Sequence, residues 1–383
     1  MTPSYPRSPI FFKILPIFLS ILLIFFSIFL IFSPQKNFSF TENRSLAQWQ
    51  KPTLRTLSDA SFFLQIGKVC ADQFPFRASF CSIKARAERA LGKQENNGVL
   101  FGTDGYLIFK NDYKNLSIAQ ENLHTLQAFQ EKSSLPLTTL LVPRCVDVMT
   151  DALPAHFSPE NEIYTTIYDT AVTDLIPLEQ LCDATKEKQV YYRTDHHWTT
   201  HGAYEAYLSL APLLGVTPYE EGFFEQITVS SNFYGTSDAA VGGIAEQSDS
   251  IVLYRYINDQ AFRCTNLQTG QSREGFYDFS ALSQRDQYRI FLGGNTALLS
   301  VEATNRTEDR PRLLLVKDSF ANSLVPFLAL HFDLTLLDPR YDAPPLSSLL
   351  TEQSFDRVLI IQGIDTLATD RSLASKLKIS STQ

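Results

Sequence analysis

The chain has 383 residues, enough for one large domain or two modest ones. Its 33 Lys and Arg against 41 Asp and Glu leave a formal net charge of -8 at pH 7, which argues against a nucleic-acid partner. Five scattered cysteines (Cys70, Cys81, Cys145, Cys182, Cys264) form no Cys-x-x-Cys pair and so indicate no zinc or thioredoxin-like site. They read as packing residues, with one or two disulfides left open and at least one thiol unpaired.

Residues 14–32 carry no charge and are mostly Leu, Ile and Phe. As a helix they would span about 28 Å at roughly 1.5 Å per residue, close to a bilayer core. Arg7 and Lys13 precede the run. The expectation is therefore a cytoplasmic N-terminus at 1–13, a single-pass anchor in the cell membrane at 14–33, and an extracytoplasmic remainder. A cleaved signal peptide is the alternative, but the run exceeds a usual h-region and no small-x-small site follows it. A buried core helix is disfavoured because the run is apolar on every face.

Residues 34–60 are polar, with Pro34, Pro52 and a Thr-Glu-Asn-Arg stretch at Thr41, and read as a juxtamembrane linker that begins to pack near Leu46. An extracytoplasmic domain at 61–383 is expected to follow. Residues 61–91 have helical periodicity broken by Phe74-Pro-Phe-Arg77, so two helices or a kink are expected. Residues 98–109 read as two short strands around the Asp104-Gly105 turn.

A helix at 118–129 and a buried strand at 137–142 come next, then a mostly helical 163–181 interrupted by Pro177. A strand at 189–192 and a helix at 202–214 complete the first half. This rhythm favours an α/β fold with a mainly parallel sheet and helices on both faces. Residues 216–286 change character, mixing Gly, Ser, Asn and aromatics with alternating runs such as 251–256. They suggest an inserted antiparallel patch with long loops, where substrate selectivity often resides. Strands at 288–292, 313–316, 332–337 and 358–361, with helices at 321–330 and 367–377, close the chain.

The chemistry concentrates in Tyr191-Tyr-Arg-Thr-Asp-His-His-Trp-Thr-Thr-His201. Two residues apart, Asp195 and His197 can share one side of an extended backbone, where the carboxylate orients the imidazole as a base. His196 is expected to point the other way. Trp198 either packs beneath the site or offers a face to a sugar ring. Asp195, His197 and His201 could also ligate zinc. No His-Glu-x-x-His signature accompanies them, and Thr199-Thr200 read as a helix start, so no metal and no cofactor is expected.

The nucleophile candidate is Ser319, at a strand-to-helix turn after 313–316; the bland alternative is a helix N-cap. Lys317 and Asp318 read as solvent-facing residues or as supports behind the site, with Asp318 also a capping candidate. Gly294 and Asn295 are oxyanion candidates or merely a turn. Arg144 and Arg340 follow strands and could reach the same edge, or be surface ion pairs.

The stretch Asp195-His196-His197-Trp198 resembles the motif from which the DHHW family takes its name. Glu42-Asn-Arg44, Asp72-Gln-Phe-Pro-Phe-Arg77, Gly98-Val99, Gly102-Thr-Asp-Gly-Tyr106, Tyr234-Gly-Thr236, Gly293-Gly-Asn295 and Lys317-Asp-Ser-Phe-Ala-Asn322 extend the resemblance. That family is similar to AlgJ/AlgX-type alginate O-acetylation proteins with SGNH-hydrolase-like catalytic domains. The resemblance implies a triad of Asp195, His197 and Ser319, in reverse order to ordinary SGNH esterases. Lys317-Asp318-Ser319 departs from their Gly-Asp-Ser block. It further implies O-acetyl transfer to a cell-envelope or secreted polysaccharide, with a membrane-bound O-acyltransferase as partner. A carbohydrate esterase and a non-catalytic polysaccharide-binding scaffold are the other readings.

Overall fold

A computed structural model describes residues 9–377 apart from 40, 41, 43, 112, 114, 171–173, 176, 177, 259 and 306–308. Arg7, Thr41, Asn43 and Pro177, which figure in the sequence reading, lie outside the described residues. The chain divides into two compact units. One runs to Leu91 and includes Gly242–Ile244; the other comprises Gly92–Val241 and the chain from Ala245 onward. The domain start expected at residue 61 thus falls inside the first unit.

In the first unit, the helix Pro9–Phe32 contains the 19-residue stretch Ile14–Phe32, long and apolar enough to cross a membrane. Signal sequences meet the same criterion. Residues 34–60 are more ordered than a linker. Phe38–Ser39 pairs antiparallel with Arg44–Ser45, and Thr53 caps a short helix at Leu54–Ser58. Asp72 explains the order. Its carboxylate accepts from both terminal nitrogens of Arg44 (2.6 and 3.0 Å) and from the Ala47 N–H (2.9 Å). The Arg44 hydrogen bond holds Asp72 down at about 2. The helices Ser61–Asp72 and Arg77–Ala90 are separated at the expected Phe-Pro-Phe break, where Phe76 takes a left-handed φ of 58°.

The second unit is built on an eight-stranded sheet. In spatial order its strands are Ser272–Glu274, Phe262–Asn266, Leu298–Ala303, Asp333–Leu337, Arg312–Lys317, Arg357–Gly363, Leu137–Val142 and Asp174–Leu175. The last five run parallel; the first three add antiparallel on one edge. Leu313 and Leu315 face one core with Tyr207, Leu210 and Phe327. Leu314 and Val316 face the other with Leu123, Leu126 and Phe129. Two covered faces explain why 313–316 reads as an unbroken apolar run.

Several expected elements change. Residues 189–192 join no sheet, because they bond back onto their own loop, with Tyr191 bridged to Trp198. Residues 287–290 form a 3-10 turn, not a strand. Leu298–Ala303, absent from the sequence reading, takes that place in the sheet; Ser300 and Glu302 hide its apolar character. The expected helix 163–181 is two, Glu162–Thr170 and Leu178–Ala184, about the strand Asp174–Leu175. The expected helix 321–330 is a 3-10 turn, Ser319–Ser323, then Val325–Leu328. Helix 367–377 divides at Asp370, which accepts from the Ser372 N–H (2.7 Å). Only part of the inserted region stands apart from the main sheet. Phe224–Phe233 and Asp249–Tyr256 form a separate hairpin, while Phe262–Asn266 and Ser272–Glu274 belong to the sheet edge. The two strands expected at 98–109 are there, as Val99–Phe101 and Leu107–Phe109, and Glu95–Asn96 pairs with the first as a third.

Asn122 clamps the divided C-terminal helices. Its Nδ2 donates to Leu367 O and Asp370 O (both 2.8 Å), and its Oδ1 accepts from the Ala374 N–H (3.1 Å). Asn122→Ala leaves these buried groups unpartnered and should lower the unfolding free energy by about 2–3 kcal/mol. Urea unfolding checks this: the midpoint should fall at unchanged slope.

Candidate functional site

Parallel strands end together, so their carboxyl-terminal loops share one edge of the sheet. Ser319 stands there, one residue beyond the end of Arg312–Lys317 with Asp318 between. Asp318 shapes its turn. One carboxylate oxygen accepts from the Phe320 N–H (3.0 Å), the other from the Gly363 N–H and the Thr366 hydroxyl (both 2.7 Å). A Cβ on Gly363 would lie 2.7 Å from the Phe320 ring, so the neighbouring strand must end in glycine. Asp318 is therefore a buried clamp rather than a solvent-facing residue.

The loop that carries Asp195 and His197 folds back on itself. The Tyr192 N–H donates to His197 O (3.2 Å) and the Thr199 N–H to Val190 O (2.7 Å), before the helix Thr200–Leu213 begins. Asp249, buried on the hairpin, accepts from the Arg193 and Thr194 N–H groups (2.9 and 2.8 Å) and the Thr194 hydroxyl (2.6 Å). Trp198 ties this loop to the serine loop, donating its indole N–H to Phe320 O and Ser323 Oγ (both 3.0 Å). It is fully buried and has no face for a sugar.

These supports bring Asp195, His197 and Ser319 into one row. Asp195 Oδ1 is 2.5 Å from His197 Nδ1, and His197 Nε2 is 2.7 Å from Ser319 Oγ. The other oxygen of Asp195 accepts from the Thr236 N–H (2.7 Å) and hydroxyl (2.9 Å). Burial would raise the Asp195 carboxyl, but His197, His196 and the Thr236 N–H together hold it well below the usual carboxylate range. Gly235 makes room: a Cβ there would sit 2.2 Å from Asp195 Oδ2. The His197 ring lies flat against Tyr288, with centroids 3.9 Å apart and planes at 7°.

His196 does not point away from the site. Its ring is 3.8 Å from that of His197, and its Nδ1 is 2.6 Å from Thr236 Oγ1. Since the Thr236 hydroxyl donates to Asp195, it must accept from His196, which fixes the Nδ1–H tautomer. Desolvation and the neighbouring His197 push His196 down to about 4, although 33% of its side chain is exposed.

Lys317 is buried behind Ser319. Its ammonium donates to Asn322 Oδ1 (2.7 Å) and Asn295 Oδ1 (3.0 Å) and lies 3.6 Å from Asp338. Burial lowers it to about 8. Because Asn295 Oδ1 also accepts from Asn322 Nδ2 (3.0 Å), the amide of Asn295 is fixed with its own Nδ2 directed elsewhere. The Gly294 N–H is committed to Phe291 O (3.1 Å).

The arginines have other partners. Arg144 is buried, paired through two nitrogens with Asp147 (both 2.7 Å) and bonded to Glu160 O (2.8 Å). Arg340 pairs with Asp338 (2.9 and 2.7 Å), completing the charged group around Lys317. His201 sits 3.5 Å from the Tyr254 hydroxyl and 3.9 Å from Glu205, apart from Asp195 and His197. Among the described residues the metal-capable cluster is instead Asp195, His196 and His197, whose ligand atoms lie within 4.8 Å of one another but bond each other or their neighbours. Sequence reasoning missed Asp249, Tyr288 and the role of Thr236. The sole signal for the first was a lone acid opening an alternating apolar strand.

This is an α/β protein with a serine, an imidazole and a carboxylate aligned at the carboxyl edge of its sheet. The model of the DHHW protein family matches residues 140–337, just over half of the chain, and the chain belongs to that family. No curated protein sequence matches it. Its fold is similar to that of a DHHW family protein from Eubacterium siraeum, at 21% identity and a TM-score of 0.59 over 75% of this chain and 98% of that one. Bacillus cereus PatB1, solved with a sulfonyl adduct, matches at 18% identity and 0.59 over 73% and 98%. The O-acetyltransferase domain of Pseudomonas putida AlgJ aligns at 17% identity and 0.44 over 73% and 95%.

His331 resembles His196 in being held down to about 4, through burial and Arg310. Unfolded histidines bind their protons near 6.5, so acidification from about 6.5 to about 4 favours the unfolded chain. Stability from these two groups should be complete above that window and lost within it. Urea midpoints measured from pH 7.5 to 4 should fall, and a His196→Gln, His331→Gln double variant should flatten the decline.

Proposed function

We propose that this chain is a membrane-anchored, extracytoplasmic O-acetyltransferase-like enzyme acting on a cell-envelope or secreted polysaccharide through Ser319. The row from Ser319 Oγ through His197 to Asp195, at 2.7 and 2.5 Å, carries the reading. Asp195 accepts from the His197 Nδ1–H, which leaves Nε2 to take the serine proton as Oγ attacks an acetyl ester. The leaving alcohol regains that proton. A sugar hydroxyl, deprotonated by the same Nε2, then attacks the acetyl-serine, and the proton returns to Ser319 as the ester departs. Asn295 Nδ2, held by the bonds to its Oδ1, is the side-chain donor for the oxyanion of each step.

Membership of a family similar to the alginate O-acetylation proteins supports a polysaccharide acceptor and a membrane-bound O-acyltransferase as acetyl supplier. The sulfonyl adduct of PatB1, a protein of similar fold, is the type of product an activated nucleophile gives. The apolar helix at Ile14–Phe32 supports the anchor. A scaffold that had kept only the fold would not require the three side chains to converge. Water in place of the sugar would make the same site an esterase.

With an activated acetyl ester, the wild type should give a burst of one acetyl per chain, and Ser319→Ala none. Asp195→Asn should slow acylation by about 10³–10⁴-fold. Gly235→Ala, which drives a methyl into Asp195, should slow it in the same direction. An undiminished burst in Ser319→Ala refutes the assignment. Acetylated oligosaccharide formed in preference to free acetate identifies a transferase; the reverse identifies an esterase.

A further inference from the structure

The first unit carries an apolar surface that the chemistry does not use. On the helix Arg77–Ala90, Phe80, Ile83 and Ala87 recur every three or four residues and so share one face, which Leu91 continues just past the helix end. Ile83 is 63% exposed and Leu91 88%. Lys84 and Arg86, both exposed, flank this stripe on either side. The opposite face, with Ala85, is the one that packs inward.

What covers the stripe follows from its contact with the apolar helix. The Phe26 ring lies 5.0 Å from Phe74 and 6.2 Å from Phe80, and the Phe29 ring 5.6 Å from Phe76. Phe26 stands about 9 Å inside the Phe32 end of that helix, at roughly 1.5 Å per residue. Were the rings it touches in water, the span would have to stop before Phe26. Only residues 14–25 would then remain, about 18 Å against a hydrocarbon thickness of about 30 Å. A helix long enough to cross therefore takes Phe74 and Phe80 below the headgroups with it.

We propose that the helix Arg77–Ala90 lies in the membrane surface, in the leaflet where the spanning helix emerges. Phe80, Ile83 and Leu91 enter the acyl chains, and Lys84 and Arg86 sit among anionic headgroups. This rests on residues 14–32 spanning the bilayer, and the test separates the two statements.

The full chain is reconstituted into vesicles of phosphatidylcholine and phosphatidylglycerol carrying brominated acyl chains. A Trp49→Phe background leaves the buried Trp198 as its only tryptophan. Trp introduced by Ile83→Trp should lose most of its added emission to bromines near the upper acyl carbons, and less to those at the chain ends. Trp introduced by Ile21→Trp should be quenched most by the deep bromines. Ile83→Trp unquenched while Ile21→Trp is quenched overturns the proposal and leaves the span intact. A blue-shifted but unquenched Ile83→Trp overturns it in favour of a second copy covering the face. Ile21→Trp unquenched removes the span, and the proposal with it.

Discussion

A buried carboxylate organises the second unit. Asp195 is charged where water does not reach, and an unpaired charge there would cost several kcal/mol. It is stable because donors reach it from two separate segments: the His197 N–H and Nδ1, and the Thr236 N–H and hydroxyl. Satisfying the acid therefore docks residues 195–197 against 235–236. Asp249 does the same for the preceding two residues. The imidazole is held because its carboxylate would otherwise have no tenable place.

The serine loop obeys a similar rule with different groups. Asp318 is satisfied only when the ends of two neighbouring parallel strands are in register, since Gly363 closes one and Asp318 follows the other. Lys317, on the adjacent position, faces Asp338, which Arg340 also holds. Lys317 thus places a buried cation two residues before Ser319. That cation orients Asn295 through an oxygen that only a donor can meet. Trp198 joins the two loops in one hydrogen-bonded corner.

The parts of the fold legible in the sequence were those whose residues answer to their own neighbours. The run at 313–316, the break at Phe74-Pro-Phe76 and the helix after Thr199 each follow from local pattern or capping. Residues 189–192 misled because aromatic, β-branched character suits any half-buried extended segment, and here the partner is the loop's own return. Leu298–Ala303 was hidden because its pairing with Asp333–Leu337 and Phe262–Asn266 is decided from a distance. The residues aligned at the sheet edge were visible as types that burial penalises unless paired. Arg144 carried the same signal yet pairs with Asp147 three positions on, so charge after a strand does not by itself locate a site.

The layering of His197 between Tyr288 and His196 limits what the imidazole can do. A ring stacked flat on Tyr288 and met at a tilt by His196 cannot swing between two alcohols bound side by side. Under the acyl-serine scheme, a single nitrogen must meet the departing and the arriving oxygen at the same point in space. Donor and acceptor then take turns in one position. The kinetic order becomes double displacement, with each alcohol competing against the other for the same few cubic ångströms.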